Sequence, residues 1–323
     1  MRVVITGAGG FIGRKLVDRL VRDGEISGQR ITHLTQADLA PPHAPAHAPF
    51  PIVSVGGNLS RNGEAERLLT HPHDLVIHLA TLASGGSEED FDGGMNANFH
   101  ATRFLWEAIR QAGHHPRVVF TSSIAVFGAP FPDPIPDDFH LQPLTSYGVQ
   151  KAIGELQLMD YTRKGFFDGI AIRLPTVVVR PGKPNSAASS FFSGIIREPL
   201  QGIEATCPVD KNQLHWFASP RAVIGFLLHA ASIDGKKMGP RRALTMPGLG
   251  LSIGEVVEAL DRVAGPEVVK LIRFERDERI ARIVSGWPTR FTATRGQDLG
   301  FEPDPDFDTI IGAFMADELG MKV

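Results

Sequence analysis

Residues 1–13 read MRVVITGAGGFIG: one short apolar run, Arg2 to Thr6, that turns at once into glycine. Gly7, Gly10 and Gly13 stand three apart. Ile12, Leu16, Val17, Leu20 and Val21 then recur at helical spacing. Such a turn is tight, lets backbone approach a bound group closely, and packs the helix near the strand. The first turn of that helix, with Phe11 and Ile12, offers unpaired N–H groups and a positive dipole end to a pyrophosphate. In this strand–turn–helix setting the pattern predicts a dinucleotide site.

Outward from the turn, apolar runs at 31–36, 52–55, 74–79 and 117–122 read as further strands, with a helix over 96–112. The stretch IAIRLPTVVVRPG, residues 170–182, reads as one more strand. Alternation of this kind predicts an α/β chain: a Rossmann-type, doubly wound parallel sheet with a smaller C-terminal substrate-binding lobe. Residues 1–180 are assigned to the nucleotide domain, with a returning segment near 214–247. Residues 181–213 and 248–323 are assigned to the lobe, where Ser252 and Glu255 form a capping box ahead of a helix. A length of 323 residues suits that division.

Composition narrows the function classes. Lys plus Arg number 33 and Asp plus Glu 36, a net charge of −3, without the basic excess that a nucleic-acid partner needs. No apolar run has the length of a membrane span and the first residues lack a signal-peptide pattern, so a cytoplasmic protein is expected. The single Cys207 can form neither an internal disulfide nor a thiolate cage. His43 and His47 lie in a Pro/Ala-rich loop, and His71, His73, His114 and His115 flank prolines. With no accompanying cysteine or carboxylate they read as loop histidines, and no metal is expected.

The second strand should end in an acid that holds the adenosine ribose. Asp38 is the candidate, 25 residues after Gly13, and a carboxylate there repels a 2′-phosphate, which favours NAD over NADP. Asn58 and the adjoining Leu59 follow the third strand, where an adenine contact is expected. In SYGVQK, Tyr147 and Lys151 are four apart and share one helix face. A lysine ammonium there favours phenolate, making the pair a general base near neutral pH. Ser123, in FTSSIAVFG, is a hydroxyl at a strand's carboxyl end, able to orient a substrate oxygen.

Taken together, TGAGGFIG, DLVIHLA, Asn98 in NANFHAT, FTSSIAVFG, SYGVQK and RLPTVVVRPG resemble the extended short-chain dehydrogenase/reductases, the NAD-dependent epimerase/dehydratase family. The resemblance implies Ser123, Tyr147 and Lys151 as catalytic residues. It implies NAD lined by Leu79, Ala80, Asn98, Ser122, Pro175 and Val177, with Lys151 on the nicotinamide ribose. It implies Ser84 near nicotinamide and substrate. It also implies a homodimer, paired through helices near 96–112 and 147–164, with Phe99, Leu105, Trp106, Ile153 and Met159 as apolar surface. Phe127 departs from the family's commoner tyrosine, and Thr81 is a further departure. Ile124 and Ala125 stand where a dehydratase carries its acid pair, which argues against dehydration.

Runs such as GFFDGIAIRLPTVVVRPGKPNSAASSFFSG and VSGWPTRF resemble more narrowly the sugar-acid dehydrogenases of this family. That resemblance implies NAD-dependent oxidation at C2 of a four-carbon aldonic acid, D-erythronate to 2-oxo-tetronate. A carboxylate substrate wants a guanidinium, and Arg180, Arg197 and Arg221 are candidates, with Thr176, Asn185, Ser189 and Ser190 as polyol donors. Two other functions stay open: a nucleotide-sugar epimerase with tightly held NAD, and a non-catalytic dinucleotide sensor. Retention of Ser123, Tyr147 and Lys151 argues against the sensor.

Overall fold

The computed structural model describes residues 1–183 and 188–321. Seven strands form one sheet in the order Ala243–Thr245, Asp168–Leu174, Arg117–Ser123, Leu75–His78, Arg2–Thr6, His33–Asp38, Ile52–Gly56. Every neighbouring pair is parallel. The chain starts in the middle, runs outward through His33–Asp38 and Ile52–Gly56, then jumps to Leu75–His78 on the other side of Arg2–Thr6. That reversal opens a crevice at the carboxyl ends of the two central strands, where open α/β sheets bind ligands.

Strand alternation sends side chains to two cores. Val3, Ile5, Leu75, Ile77, Val119, Ile170 and Ile172 pack on one face against Leu16, Val17 and Leu20 of helix Phe11–Asp23 and Phe226 and Leu227 of helix Pro220–Ser232. Val4, Val76, Val118, Phe120 and Ala171 pack on the other against Leu105, Trp106 and Ile109 of helix Ala101–Ala112 and Leu158 of helix Ser146–Arg163. Each of these large apolar side chains contributes about 1.5–3 kcal/mol by leaving water. Leu105 and Trp106 are fully buried here, so they do not form part of an outer dimer face.

Three local readings change. The second strand is His33–Asp38, two residues later than 31–36, so Asp38 is its last residue. The polar stretch before it closes as a small hairpin, Glu25–Ile26 against Gln29–Arg30. The run 170–182 is broken at Pro175, which has no N–H for a ladder. Asp168–Leu174 stays in the main sheet, while Thr176–Val177 joins Leu214–Ala218 and Leu249–Ser252 in a second, three-stranded sheet.

Above the carboxyl ends lies a third core: Phe191, Phe192, Phe217, Val256, Leu260, Ile310 and Phe314 among others. Its helix Ile253–Ala264 begins with the expected capping box, both reciprocal bonds between Ser252 and Glu255 being made. Among the described residues no helix is long and apolar enough to cross a membrane.

Candidate active site

The glycine turn is closed by sterics. A Cβ on Gly13 would lie 2.2 Å from the Gly7 carbonyl oxygen, so the helix sits against the turn with no room for a side chain. Gly7 takes φ +75° and faces the end of the Leu75–His78 strand, where a Cβ would lie 2.5 Å from Ala80 N. Gly10 caps helix Phe11–Asp23 in extended conformation without a side-chain bond. The first helical N–H groups, those of Phe11 and Ile12 among them, lead from this turn. Asp38 reaches the same place: its carboxylate accepts from Gly9 N at 2.9 Å and from Leu39 N at 2.7 Å. Gly7, Gly10, Gly13, Asp38, Leu79 and Ala80 therefore converge.

Asn58 and Leu59 follow the third strand and are held otherwise. The Asn58 Oδ1 accepts from Ser60 N and Oγ in a local turn, and the Leu59 side chain is buried in the sheet core. Asn98 is also turned inward. It lies on a π-helical stretch, Met95–His100, ahead of Ala101–Ala112, where an unbroken α-helix was expected. Its Oδ1 accepts from Thr81 Oγ1 and Leu82 N, both at 2.8 Å, and its Nδ2 faces Leu82 O, Ser87 Oγ and Gln150 Oε1 at 2.7–3.0 Å. It pins the loop after the fourth strand to the helix that carries Tyr147, and its amide is spent on that task.

The candidate catalytic residues come from two elements. Ser123 ends strand Arg117–Ser123 and caps a 3-10 turn, accepting from Ala125 N at 3.1 Å. Tyr147 and Lys151 occupy successive turns of helix Ser146–Arg163, which starts with a Thr145 cap on Gly148 N. The Thr81 and Ser123 hydroxyls and the Arg180 guanidinium all lie near the Tyr147 phenol. Burial pushes the Tyr147 phenol up, and these hydroxyls and Arg180 oppose that shift. Burial likewise pushes the Arg180 guanidinium down, against the attraction of Tyr147.

Lys151 differs from expectation. Its Nζ donates to the Thr121 carbonyl at 2.9 Å and lies over the Tyr147 ring, 5.6 Å from the centroid. Burial lowers its pKa to about 7, with Glu155 opposing. The Glu155 carboxylate is itself held by Arg173 in a buried two-pronged pair at 2.8–3.2 Å. The groups acting directly on the Tyr147 phenol are thus Thr81, Ser123 and Arg180.

Thr81 was met in the sequence only as a departure. Position alone could have raised it, because it follows the strand that abuts the glycine turn. Ser84 opens the short helix Ser84–Glu89 in the same loop and is half-buried. Pro175 is buried at the strand break, and Thr176 and Val177 line the second sheet beside it, half-buried. Thr176 Oγ1 lies 2.6 Å from His215 Nε2, on the neighbouring strand Leu214–Ala218. Ser189 stands at the N-cap of helix Ser190–Arg197 without a capping bond of its own. Asn185 lies outside the described residues.

Arg197 and Arg221 take other roles. Arg197 is buried, paired with Glu198, and donates to the Arg180 carbonyl at 2.7 Å. Arg221 pairs with Asp317 on the surface. Among the described residues no group of three or more His, Cys, Asp or Glu could hold a metal ion.

The model of the NAD dependent epimerase/dehydratase family matches residues 3–218. The chain belongs to this family. NAD is its cofactor, and the residues fit it: a glycine turn with no space for side chains, and, two strands along the sheet near the end of Arg117–Ser123, a buried Ser122 hydroxyl with no partner among the described residues. Within the family, the chain is 46% identical over 321 residues to the D-erythronate dehydrogenase of Cupriavidus necator, covering 98% of each chain. It is 38% identical over 315 residues to the D-erythronate dehydrogenase of Haemophilus influenzae, covering 98% of this chain and 99% of that one. A crystal structure described as a nucleoside-diphosphate-sugar epimerase from Agrobacterium tumefaciens superposes with a TM-score of 0.97 at 53% identity, over 100% of this chain and 95% of that chain. The holo L-threonine dehydrogenase from Cupriavidus necator shares the fold at TM-score 0.84 and 21% identity, over 98% and 99% of the two chains.

Proposed function

We propose that this chain oxidises the C2 hydroxyl of a small sugar acid with NAD, converting D-erythronate to 2-oxo-tetronate. The observation that carries the reading is the Arg180 guanidinium near the Tyr147 phenol, a carboxylate ligand beside a base. Two D-erythronate dehydrogenases aligned along almost the whole chain support the substrate.

The residues divide the work. Ser123, which accepts from Ala125 N and lies beside the phenol, holds the C2 oxygen. Tyr147 takes the hydroxyl proton. The Thr81 hydroxyl, bonded to Asn98 Oδ1 and beside the phenol, helps hold the Tyr147 pKa down. Arg180 favours phenolate before that transfer and binds the carboxylate, with Thr176, Ser84 and Ser189 as further donors. Lys151 is tied to Thr121 over the Tyr147 ring and reaches the nicotinamide ribose. Gly7, Gly10, Phe11, Ile12, Gly13, Asp38, Leu79, Ala80, Ser122, Pro175 and Val177 line the cofactor. NAD, when bound, supplies the hydride acceptor. The protein's share is positioning and electrostatics.

Residues 1–180 with 214–247 act as the nucleotide domain, and the remainder as the substrate lobe. The protein works in the cytoplasm as a homodimer. Exposed Val149 and Leu156 on helix Ser146–Arg163 support pairing through that helix, and light scattering at assay concentration tests it, a monomer mass being the contrary result.

A second reading, a nucleotide-sugar epimerase, is favoured by the description of the Agrobacterium tumefaciens structure. NADH accumulation with free sugar acids separates the two. An epimerase returns its hydride and releases no NADH.

A further inference from the structure

His215 lies on strand Leu214–Ala218 and is 1% exposed. Its ring stacks on Phe192 at 4.4 Å and 10°, and meets Phe217 at 5.2 Å and Trp287 at 5.7 Å. One ring nitrogen, Nε2, is 2.6 Å from Thr176 Oγ1. The other, Nδ1, has no partner among the described residues. Burial holds the imidazole pKa at about 3, so the ring is neutral at working pH and carries a single N–H.

Where that hydrogen sits decides what Thr176 can do. On Nδ1 it would be a buried donor without an acceptor, a cost of about 1–3 kcal/mol. On Nε2 it donates to Thr176 Oγ1 and leaves only a bare ring lone pair unpaired. Buried orphan N–H groups are the rarer and costlier case, so the Nε2–H tautomer prevails. The Thr176 oxygen is then engaged as an acceptor by His215, and its hydroxyl hydrogen must point elsewhere. Thr176 precedes Val177, whose carbonyl accepts from Arg180 Nε at 3.1 Å. A hydroxyl donor and a guanidinium thus belong to one short segment, and both suit an anionic oxygen.

We propose that His215 is a positioning residue that fixes Thr176 as a hydrogen-bond donor to the substrate's carboxylate. The inference rests on the sugar-acid reading above and extends it to how that acid is recognised.

The test is steady-state kinetics with D-erythronate and saturating NAD on four variants. His215→Phe keeps the stacked ring and removes the N–H. His215→Gln restores an N–H donor, and Thr176→Val removes the hydroxyl. The fourth combines His215→Phe with Thr176→Val. His215→Phe is expected to raise KM for the acid about tenfold, the size of one lost hydrogen bond to a charged group, with kcat changed less and KM for NAD unmoved. His215→Gln recovers most of that loss. In the Thr176→Val background, His215→Phe adds nothing further, because both act through one bond. A wild-type KM in His215→Phe overturns the inference, as does additivity in the double variant, or an equal rise in KM for NAD. Should His215→Phe fail to fold, ¹⁵N NMR of the histidine rings in the wild-type protein replaces it: a protonated Nε2 supports the inference and a protonated Nδ1 overturns it. No NADH from the wild-type protein with any sugar acid overturns the functional reading itself, an outcome distinct from a silent His215→Phe.

Discussion

Lys151 Nζ donates to the Thr121 carbonyl at 2.9 Å, and one side chain thereby ties the helix of Tyr147 to the strand of Ser123. The same burial that permits this bond lowers the Lys151 pKa to about 7, well below the unfolded value of about 10.4.

That shift has a consequence for stability. Between about pH 7 and 10 the unfolded chain binds a proton that the folded chain does not. Stability therefore rises with pH across this window, by up to about 1.4 kcal/mol per unit from this group. Urea titrations of wild type and Lys151→Met at pH 7, 8 and 9 check it. The gap between them should change in favour of the wild type as pH rises, and a constant gap contradicts it.

Tyr147→Phe removes the proposed proton acceptor and keeps the ring. Turnover is expected to fall by about 10²–10⁴-fold, with NAD affinity within a few-fold of wild type by fluorescence titration. Near-normal turnover would place the base elsewhere.

Arg180→Met removes the positive charge that holds the Tyr147 phenol down against burial. The rising limb of the kcat profile for oxidation should move to higher pH, and KM for the acid should rise about tenfold or more. An unmoved profile with normal KM separates Arg180 from the site.

Glu155 is buried between the charges of Lys151 and Arg173. Glu155→Gln leaves the Arg173 guanidinium buried without a counter-charge, and is expected to cost about 3–5 kcal/mol by urea denaturation. A loss under 1 kcal/mol would mean that water or another group neutralises Arg173.

Asp38→Asn keeps the shape and removes the charge next to Gly9 N. The preference for NAD over NADP should fall about tenfold or more, read as the ratio of kcat/KM values. An unchanged ratio contradicts the role of the Asp38 charge.

What the sequence could say follows from periodicity. Parallel strands buried on both faces are short apolar runs, so Arg2–Thr6, Leu75–His78 and Arg117–Ser123 stood out, and the glycine turn marked where the crossing begins. The break at Pro175 was visible in the residue type, yet its effect, moving Thr176–Val177 into a different sheet, depends on a partner strand some forty residues on. Asp38 could be named as an acid just beyond an apolar run, but that it ends the strand and meets Gly9 N is visible only in the structure. Thr81, Gln150 and His215 were not legible, because each works through a contact that sequence spacing does not encode: Thr81 and Gln150 with Asn98, His215 with Thr176. The expectation that Lys151 sits at the phenol followed from the four-residue spacing. A shared helix face does not fix where a long side chain ends, and the Thr121 carbonyl claimed the ammonium.

The most direct measurement is NADH absorbance after mixing purified protein with NAD and D-erythronate. NADH accumulating in proportion to the acid added, and absent with Tyr147→Phe, is the predicted result. No NADH from D-erythronate or related aldonic and uronic acids, with NAD released only on denaturation, contradicts it and turns the site over to epimerisation.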